Sequence, residues 1–359
     1  MTPALQATTP DRLARDAEIP LTCARRILAS LFRDDPPDTL LDHVRRTSRE
    51  KVAAAFDVPR LELVSEERSQ VDPFRKLILR LSDGELIETV RIPLQRRGRF
   101  SACVSSQAGC ALACAFCATG RLGLRRNLQT WEIVEQVRVA RRTLALDEGE
   151  RIHGVVFQGM GEPMSNLDRV IDAIFVLSDP CGLAIDRKAI TVCTAGIPSR
   201  IRRLGRELPR VRLGLSIGSA RQEVRERLMP IAKAHPLEEV IDAAMEHARA
   251  TGSAPMFAVT PLEDENDHDE DALALAALVQ RFVRETGVRP RVSVVPYNRI
   301  ASDGTDPFRR QGDARATRFL SVLRQSGTHP HMRYSGGGDV AAACGQLAAA
   351  QARGGRAPA

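Results

Sequence analysis

Short apolar runs alternate with amphipathic stretches of helical period along most of the chain, and the order changes once. Before residue 95, residues 24–32 and 38–55 carry apolar side chains at helical spacing and predict two helices, the second N-capped by Asp38. Lys76-Leu-Ile-Leu-Arg-Leu81 and Leu86-Ile-Glu-Thr-Val-Arg-Ile-Pro93 then alternate around Asp83-Gly84, which predicts a β-hairpin. From residue 96 the pattern gives strands at 100–104, 154–158, 189–193, 212–217, 256–259 and 292–296. Between them lie helices at 130–144, 167–178, 198–207, 237–251 and 270–286, with one more at 314–325. Strict alternation predicts parallel βαβ units. Six strands are too few for a closed eight-stranded barrel, so the expected fold is α/β, a partial (β/α)6 barrel behind a small helical and hairpin unit. Its chemistry belongs at the C-terminal ends of the strands.

Composition narrows the setting. With 43% hydrophobic and 27% charged residues the chain reads as globular, and it has no run of eighteen apolar residues to span a membrane. Residues 1–15 lack the apolar core of a secretory signal, so the expected location is the cytoplasm. The net charge of +7 rests on arginine, with lysine only at 51, 76, 188 and 233. Such an excess suits phosphate contacts, although a GC-rich genome writes the same bias. Aromatics at 4% disfavour a stacking platform for single strands. The acidic run Glu263–Asp271 lacks the glycine and spacing of a calcium loop and reads as a solvated loop.

The eight cysteines carry more. Without a secretory signal a disulfide framework is not expected, and Cys103, Cys110, Cys114 and Cys117 fall within fifteen residues. Cys110-Ala-Leu-Ala-Cys114-Ala-Phe-Cys117 offers three thiolates, enough for three irons of a cubane, and leaves the fourth iron to a substrate or cofactor. The competing reading is a zinc site with Cys103 as fourth ligand, but zinc sites usually pair two short knuckles and only one is present. Cys23 and Cys181 fit no motif and read as ordinary thiols, while His153, His247, His329 and His331 read as satisfied or surface side chains.

The CxxxCxxC loop after the first barrel strand resembles the radical S-adenosylmethionine (SAM) superfamily. More of the chain resembles its RlmN/Cfr family of RNA adenine methyltransferases. The matching segments are Cys103-Val-Ser-Ser-Gln-Ala-Gly-Cys110, Cys117-Ala-Thr-Gly, Asn127-Leu, Gly159-Met-Gly-Glu-Pro163 with Asn166, Leu228-Met-Pro-Ile231 and Ala343-Cys344-Gly-Gln-Leu347. They run in order through nearly the whole chain. The resemblance implies a [4Fe-4S] cluster on Cys110, Cys114 and Cys117, and SAM as cofactor. It also implies an RNA substrate, 23S rRNA or tRNA, methylated at adenine C2, with C8 as the minority activity.

In the implied mechanism Cys344 takes a methyl group from one SAM. The radical made from a second SAM activates that methyl for addition to the adenine carbon. Cys103 then attacks Cys344 sulfur and releases the product, with Glu88 as proton acceptor. The SAM contacts carried over are Gly161, Glu162, Cys193, Ser216, Ile217, Gly218 and Asn298. The family pattern is broken at Cys193 and Ala195, where hydroxyl or apolar residues are usual, at Gly218 for histidine, at Ala341 for aspartate and at Gly336 for a basic residue. The expected organisation is an RNA-docking unit at 1–95, a radical SAM core at 96–300, an extension bearing Cys344 at 301–350 and a frayed tail at 351–359. The resemblance further implies an electron donor such as flavodoxin or ferredoxin, and the chain is expected to act as a monomer.

Overall fold

The computed structural model describes residues 2–35, 44–300 and 305–347. Three helices open the chain, α1 (Pro10–Asp16), α2 (Leu21–Arg33) and α3 (Arg46–Ala55), followed by strands β1 (Glu62–Arg68), β2 (Arg75–Arg80) and β3 (Leu86–Pro93). β4 (Arg99–Cys103) leads into a two-stranded ribbon, β5 (Gln107–Gly109) and β6 (Leu124–Asn127), with α4 (Ala118–Arg121) between them. Then come α5 (Thr130–Arg142), β7 (Arg151–Phe157), α6 (Leu167–Ser178), β8 (Ile190–Thr194), α7 (Pro198–Glu207), β9 (Arg212–Ser216) and α8 (Gln222–Leu228). The chain continues through α9 (Leu237–Thr251), β10 (Met256–Val259), α10 (Asp269–Thr286), β11 (Arg291–Val294), α11 (Asp313–Gln325) and β12 (Pro330–Met332).

Ten strands form one sheet in the order β1-β2-β3-β4-β7-β8-β9-β10-β11-β12. It is antiparallel from β1 to β4 and parallel from β4 onward. The six expected parallel strands are β4 and β7 to β11, and β12 adds a seventh. The boundary expected near residue 95 falls between β3 and β4, which pair Val90 with Cys103 and Pro93 with Phe100, so hairpin and barrel share a sheet.

The N-terminal helices reach the barrel through α5, which is buried along most of its length despite Glu132, Glu135, Gln136 and Arg138. Buried polar groups need partners, and these have them. Gln136 accepts from the Ser105 amide at 2.7 Å and the Thr89 hydroxyl at 2.9 Å, and donates to the Ser105 carbonyl. Arg138 is neutralised by Glu135 at 2.8 Å and by Asp34 at 2.7 Å, the residue that closes α2.

Three expectations change. The second helix begins at Arg46, and Val44 and Arg45 lie outside it, while Asp38 and the tail 351–359 lie outside the described residues. The acidic run is not a solvated loop. Asn266 is buried and ties the Leu262 amide to the carbonyls of Gly218 and Thr260, while His268 and Asp271 form the capping box that starts α10. His247, expected to be satisfied or at the surface, is buried with neither ring nitrogen hydrogen-bonded among the described residues. No helix among those residues is long and apolar enough to cross a membrane.

Candidate active site

Cys103 is the last residue of β4, and the β5–β6 ribbon beyond it projects the loop that bears Cys110, Cys114 and Cys117. The loop is fixed by backbone bonds to distant segments: Ala115 donates to the Leu228 carbonyl at 3.0 Å and Ala118 to the Gly345 carbonyl at 2.7 Å. Leu112, Cys114 and Phe116 pack against Val224, Leu228, Met229 and Tyr297, an apolar collar separate from the main core. Burial pushes the Cys110 thiol up to about 11 and raises Cys114 and Cys117 as well. These thiols would give up protons only to a metal, whose own charge replaces them.

The loop forms one wall of an open cavity of about 160 Å³. The opposite walls come from the C-terminal strand ends: Gly161 and Glu162 after β7, Cys193 and Thr194 on β8, Ser216 on β9 with Gly218 beyond it, Ala258 on β10 and Tyr297 after β11. Gly161 has φ +96°, and a Cβ there would meet the Gln107 side chain at 2.5 Å, so only glycine allows this close approach. Glu162 accepts from the amides of Met164 and Ala195, both at 2.9 Å, and burial holds its carboxyl above the usual range. At Gly218, where the family pattern has histidine, a Cβ would run into Met229 Sδ.

A second, smaller chamber of about 40 Å³ adjoins the first. Val90, Cys103, Arg333 and Ser335 line it, and Gln158, Val295 and Cys344 line both. Cys344 therefore stands in the partition, with the three loop thiols on one side and Cys103 on the other. Its segment hangs from Asn298, whose Nδ2 donates to Ser335 Oγ at 2.8 Å and to the Cys344 carbonyl at 3.2 Å, and from the Thr119 hydroxyl, which donates to the Leu347 carbonyl at 2.6 Å. Two expected cofactor contacts, Asn298 and Ile217, do not line the first cavity. Asn298 anchors the Cys344 segment, and Ile217 is buried with its carbonyl turned to Arg225. Glu88 lines neither chamber but shares the β3 face of Val90 and Ile92, 3.8 Å from the Lys76 ammonium.

The sequence reading missed Arg333. It follows β12, donates from Nη1 to Gln158 Oε1 at 2.9 Å and lines the second chamber. Among the described residues no carboxylate lies within 4 Å of it. Burial works against its guanidinium, yet the thiols of Cys344, Cys193 and Cys103 hold it above its ordinary value. In return it opposes burial at Cys193, which still rises to about 12, and at Cys103, which is also pushed up. Only the fold brings it to these thiols, since nothing in its local sequence marks it.

The donor set discriminates between metals. A tetrahedral zinc with bonds of about 2.3 Å needs its sulfurs roughly 3.8 Å apart. No three of the sulfurs of Cys103, Cys110, Cys114 and Cys117 lie within 4.8 Å of one another, and Cys103 faces the other chamber. A cubane, with each thiolate on its own iron, takes the wider spread. Three thiols and an open cavity fit such a cluster.

The family model for the radical SAM superfamily matches residues 104–276. A probable RNA methyltransferase from Sorangium cellulosum is 54% identical over 357 residues, covering 94% of this chain and 90% of its own length. A probable dual-specificity RNA methyltransferase RlmN from Moorella thermoacetica is 38% identical over 310 residues, covering 86% and 85%. Among solved structures, a radical SAM methyltransferase from Sphaerobacter thermophilus superposes with a TM-score of 0.85 at 34% identity over 97% of this chain and 99% of its own.

Proposed function

Since the chain belongs to the RlmN/Cfr family of radical SAM RNA methyltransferases and is a SAM-dependent enzyme acting on RNA, we propose that it methylates an adenine carbon, C2, through an S-methylated Cys344 that Cys103 resolves. The family implies SAM and a [4Fe-4S] cluster; Cys110, Cys114 and Cys117 would hold the cluster, which supplies one electron to cleave SAM to a carbon radical. Gly161, Glu162, Cys193, Ser216 and Gly218 would line the SAM site. Ile217 and Asn298 would support it indirectly, one through the strand end and the other through the Cys344 segment.

The observation that carries the reading is the place of Cys344 in the partition. From there its sulfur can face SAM in one chamber and Cys103 in the other. In the first step the Cys344 thiolate displaces S-adenosylhomocysteine from SAM and keeps the methyl group. The carbon radical would take a hydrogen atom from that methyl and leave a methylene radical, which bonds to C2 of the adenine. The adduct would then lose the C2 proton to Glu88 and one electron, for which the oxidised cluster would be the acceptor. The Cys103 thiolate next attacks Cys344 Sγ; the sulfur–carbon bond breaks toward carbon, which takes up a proton and becomes the new methyl group. The resulting disulfide needs two electrons from a donor of the flavodoxin or ferredoxin class. Arg333, a cation close to Cys103, opposes the burial that holds the Cys103 thiol protonated.

We assign the substrate to 23S rRNA or tRNA and the docking surface to the unit before residue 95, with the enzyme acting as a cytoplasmic monomer. The test is Cys103→Ala. It should stop with RNA joined to Cys344 by a thioether, seen as a heavier, nuclease-sensitive band under denaturing conditions. Normal turnover by that variant with Cys181 and Cys193 also replaced would refute the two-cysteine route.

A further inference from the structure

Arg138 and Arg225 are the largest fully buried side chains among the described residues. Arg138 has its two carboxylates; Arg225 has none. Its Nη1 donates to the carbonyls of Ser216, at 3.0 Å, and Ile217, its Nη2 donates to the carbonyl of Ala195, and its Nε has no partner among the described residues. No carboxylate of those residues lies within 4 Å of it. The buried carboxylate of the same wall, Glu162, is turned to the amides of Met164 and Ala195. Carbonyl oxygens orient a guanidinium without cancelling its charge, and a buried uncompensated cation is costly. Burial draws Arg225 down to about 10, which still leaves it charged at neutral pH.

The anionic group has to come from the loop above. α8, which carries Arg225, is bonded to that loop through Ala115 and Leu228, and its Val224 and Leu228 pack against Leu112, Cys114 and Phe116. Arg225 Nη1 also lies 3.6 Å from Met229 Sδ, a member of the apolar collar against which Cys114 packs. We propose that Arg225 is the built-in counter-ion of the iron–sulfur cluster, a positioning residue that makes the cluster easier to reduce. The inference rests on the assignment of Cys110, Cys114 and Cys117 as cluster ligands. Three thiolates outweigh the positive charge of the cubane, and reduction adds one further negative charge. A cation fixed on α8, against an apolar collar shared with the three-cysteine loop that screens little, therefore stabilises the reduced form more than the oxidised one. The three carbonyls keep the guanidinium in place whichever state the cluster is in.

The experiment is an EPR-monitored redox titration of the anaerobically reconstituted full-length protein, with Arg225→Gln and Arg225→Lys alongside the wild type. Arg225→Gln should disfavour one-electron reduction by about tenfold or more, a shift of about 59 mV to more negative potential. Arg225→Lys should restore most of it. The protein before reconstitution gives a second readout. Arg225→Met should melt at or above the wild-type temperature without iron, yet gain less than wild type when the cluster is loaded, because the cation is a burden only while uncompensated. If Arg225→Gln fails to retain iron, a loaded Arg225→Lys protein with a near wild-type potential still supports the charge requirement. A fully loaded Arg225→Gln protein with an unchanged potential overturns the proposal. Wild-type protein that binds no iron would instead overturn the ligand assignment beneath it.

Discussion

His247 offers the cleanest quantitative check on the packing of the barrel's outer layer. It lies on α9, where α7 presses close enough that a Cβ on Gly205 would come within 2.9 Å of the imidazole. The ring is 2% exposed and neither nitrogen is paired among the described residues, so burial alone lowers its pKa to about 4. The unfolded chain holds the same histidine near 6.5. The folded state therefore keeps the ring neutral while the unfolded state takes up the proton. Stability is full above about pH 6.5 and is lost as pH falls through the window down to about 4. At about 1.4 kcal/mol per unit, the whole window amounts to about 3 kcal/mol, of which about 2 kcal/mol is gone at pH 5. His247→Leu fills much the same space without a titrating group or unpaired nitrogens. Urea midpoints at pH 7.5 and pH 5 should diverge for the wild type by that amount more than for the variant. The variant should also be no less stable at pH 7.5, since an unsatisfied buried polar atom costs about 1–3 kcal/mol. Parallel pH dependence in both proteins would mean that the ring is not the buried neutral group described above.

Arg333→Met removes the cation beside the three thiols. Iodoacetamide labelling of Cys103 and Cys193, read by mass spectrometry, should then move to higher pH and slow about tenfold at pH 8 for each unit of that move. Gly336→Arg restores the basic residue of the family pattern. A Cβ there meets the Phe74 ring at 2.4 Å and Asp72 Oδ2 at 2.6 Å, so the variant should lose about 1–3 kcal/mol in thermal unfolding and much of its Cys344 methylation. Ala341 holds φ +50°, a conformation that suits the aspartate of the family pattern better than alanine. Ala341→Gly should raise stability by about 1 kcal/mol, measured by the same unfolding.

The six expected parallel strands, β4 and β7 to β11, were legible because each is buried on both faces over most of its length and reads as an apolar run between turns; β10 matched to the residue. β1 was not, because it is an edge strand with Leu63 and Val64 left more than a third exposed, and its charges break any alternation. β12 is three residues beginning with proline, too short for a period. At the site, the three-cysteine loop declares itself by spacing and Gly159-Met-Gly-Glu-Pro163 by resemblance. Cys344 was found through resemblance alone, since a cysteine after three alanines carries no physical signal. Arg333 and Arg225 were invisible for a common reason: each is defined by what it lacks, a carboxylate partner, and a sequence does not show which charges meet. His247 failed likewise, because one histidine among apolar residues does not say whether its nitrogens find partners.

The segment that carries Cys344 is held almost entirely by residues far away in the chain. Asp72, in the turn between β1 and β2, accepts from the Gly337 amide at 2.9 Å and the Tyr334 hydroxyl at 3.0 Å, and Asp339 accepts from the Gln70 amide at 2.8 Å. Ala118, Thr119, Asn298 and Arg299 supply further ties. These contacts span as many as 269 positions, so they are the latest that a growing or refolding chain can close. The hairpin, the three-cysteine loop and the end of β11 must all be in place before this segment has anywhere to rest. Assembly order thus acts as a safeguard: a half-built molecule already has its three-cysteine loop but not Cys344, the sulfur to which the proposed route gives the methyl group, and on that route chemistry on a nucleotide waits until the first and last parts of the polypeptide have met.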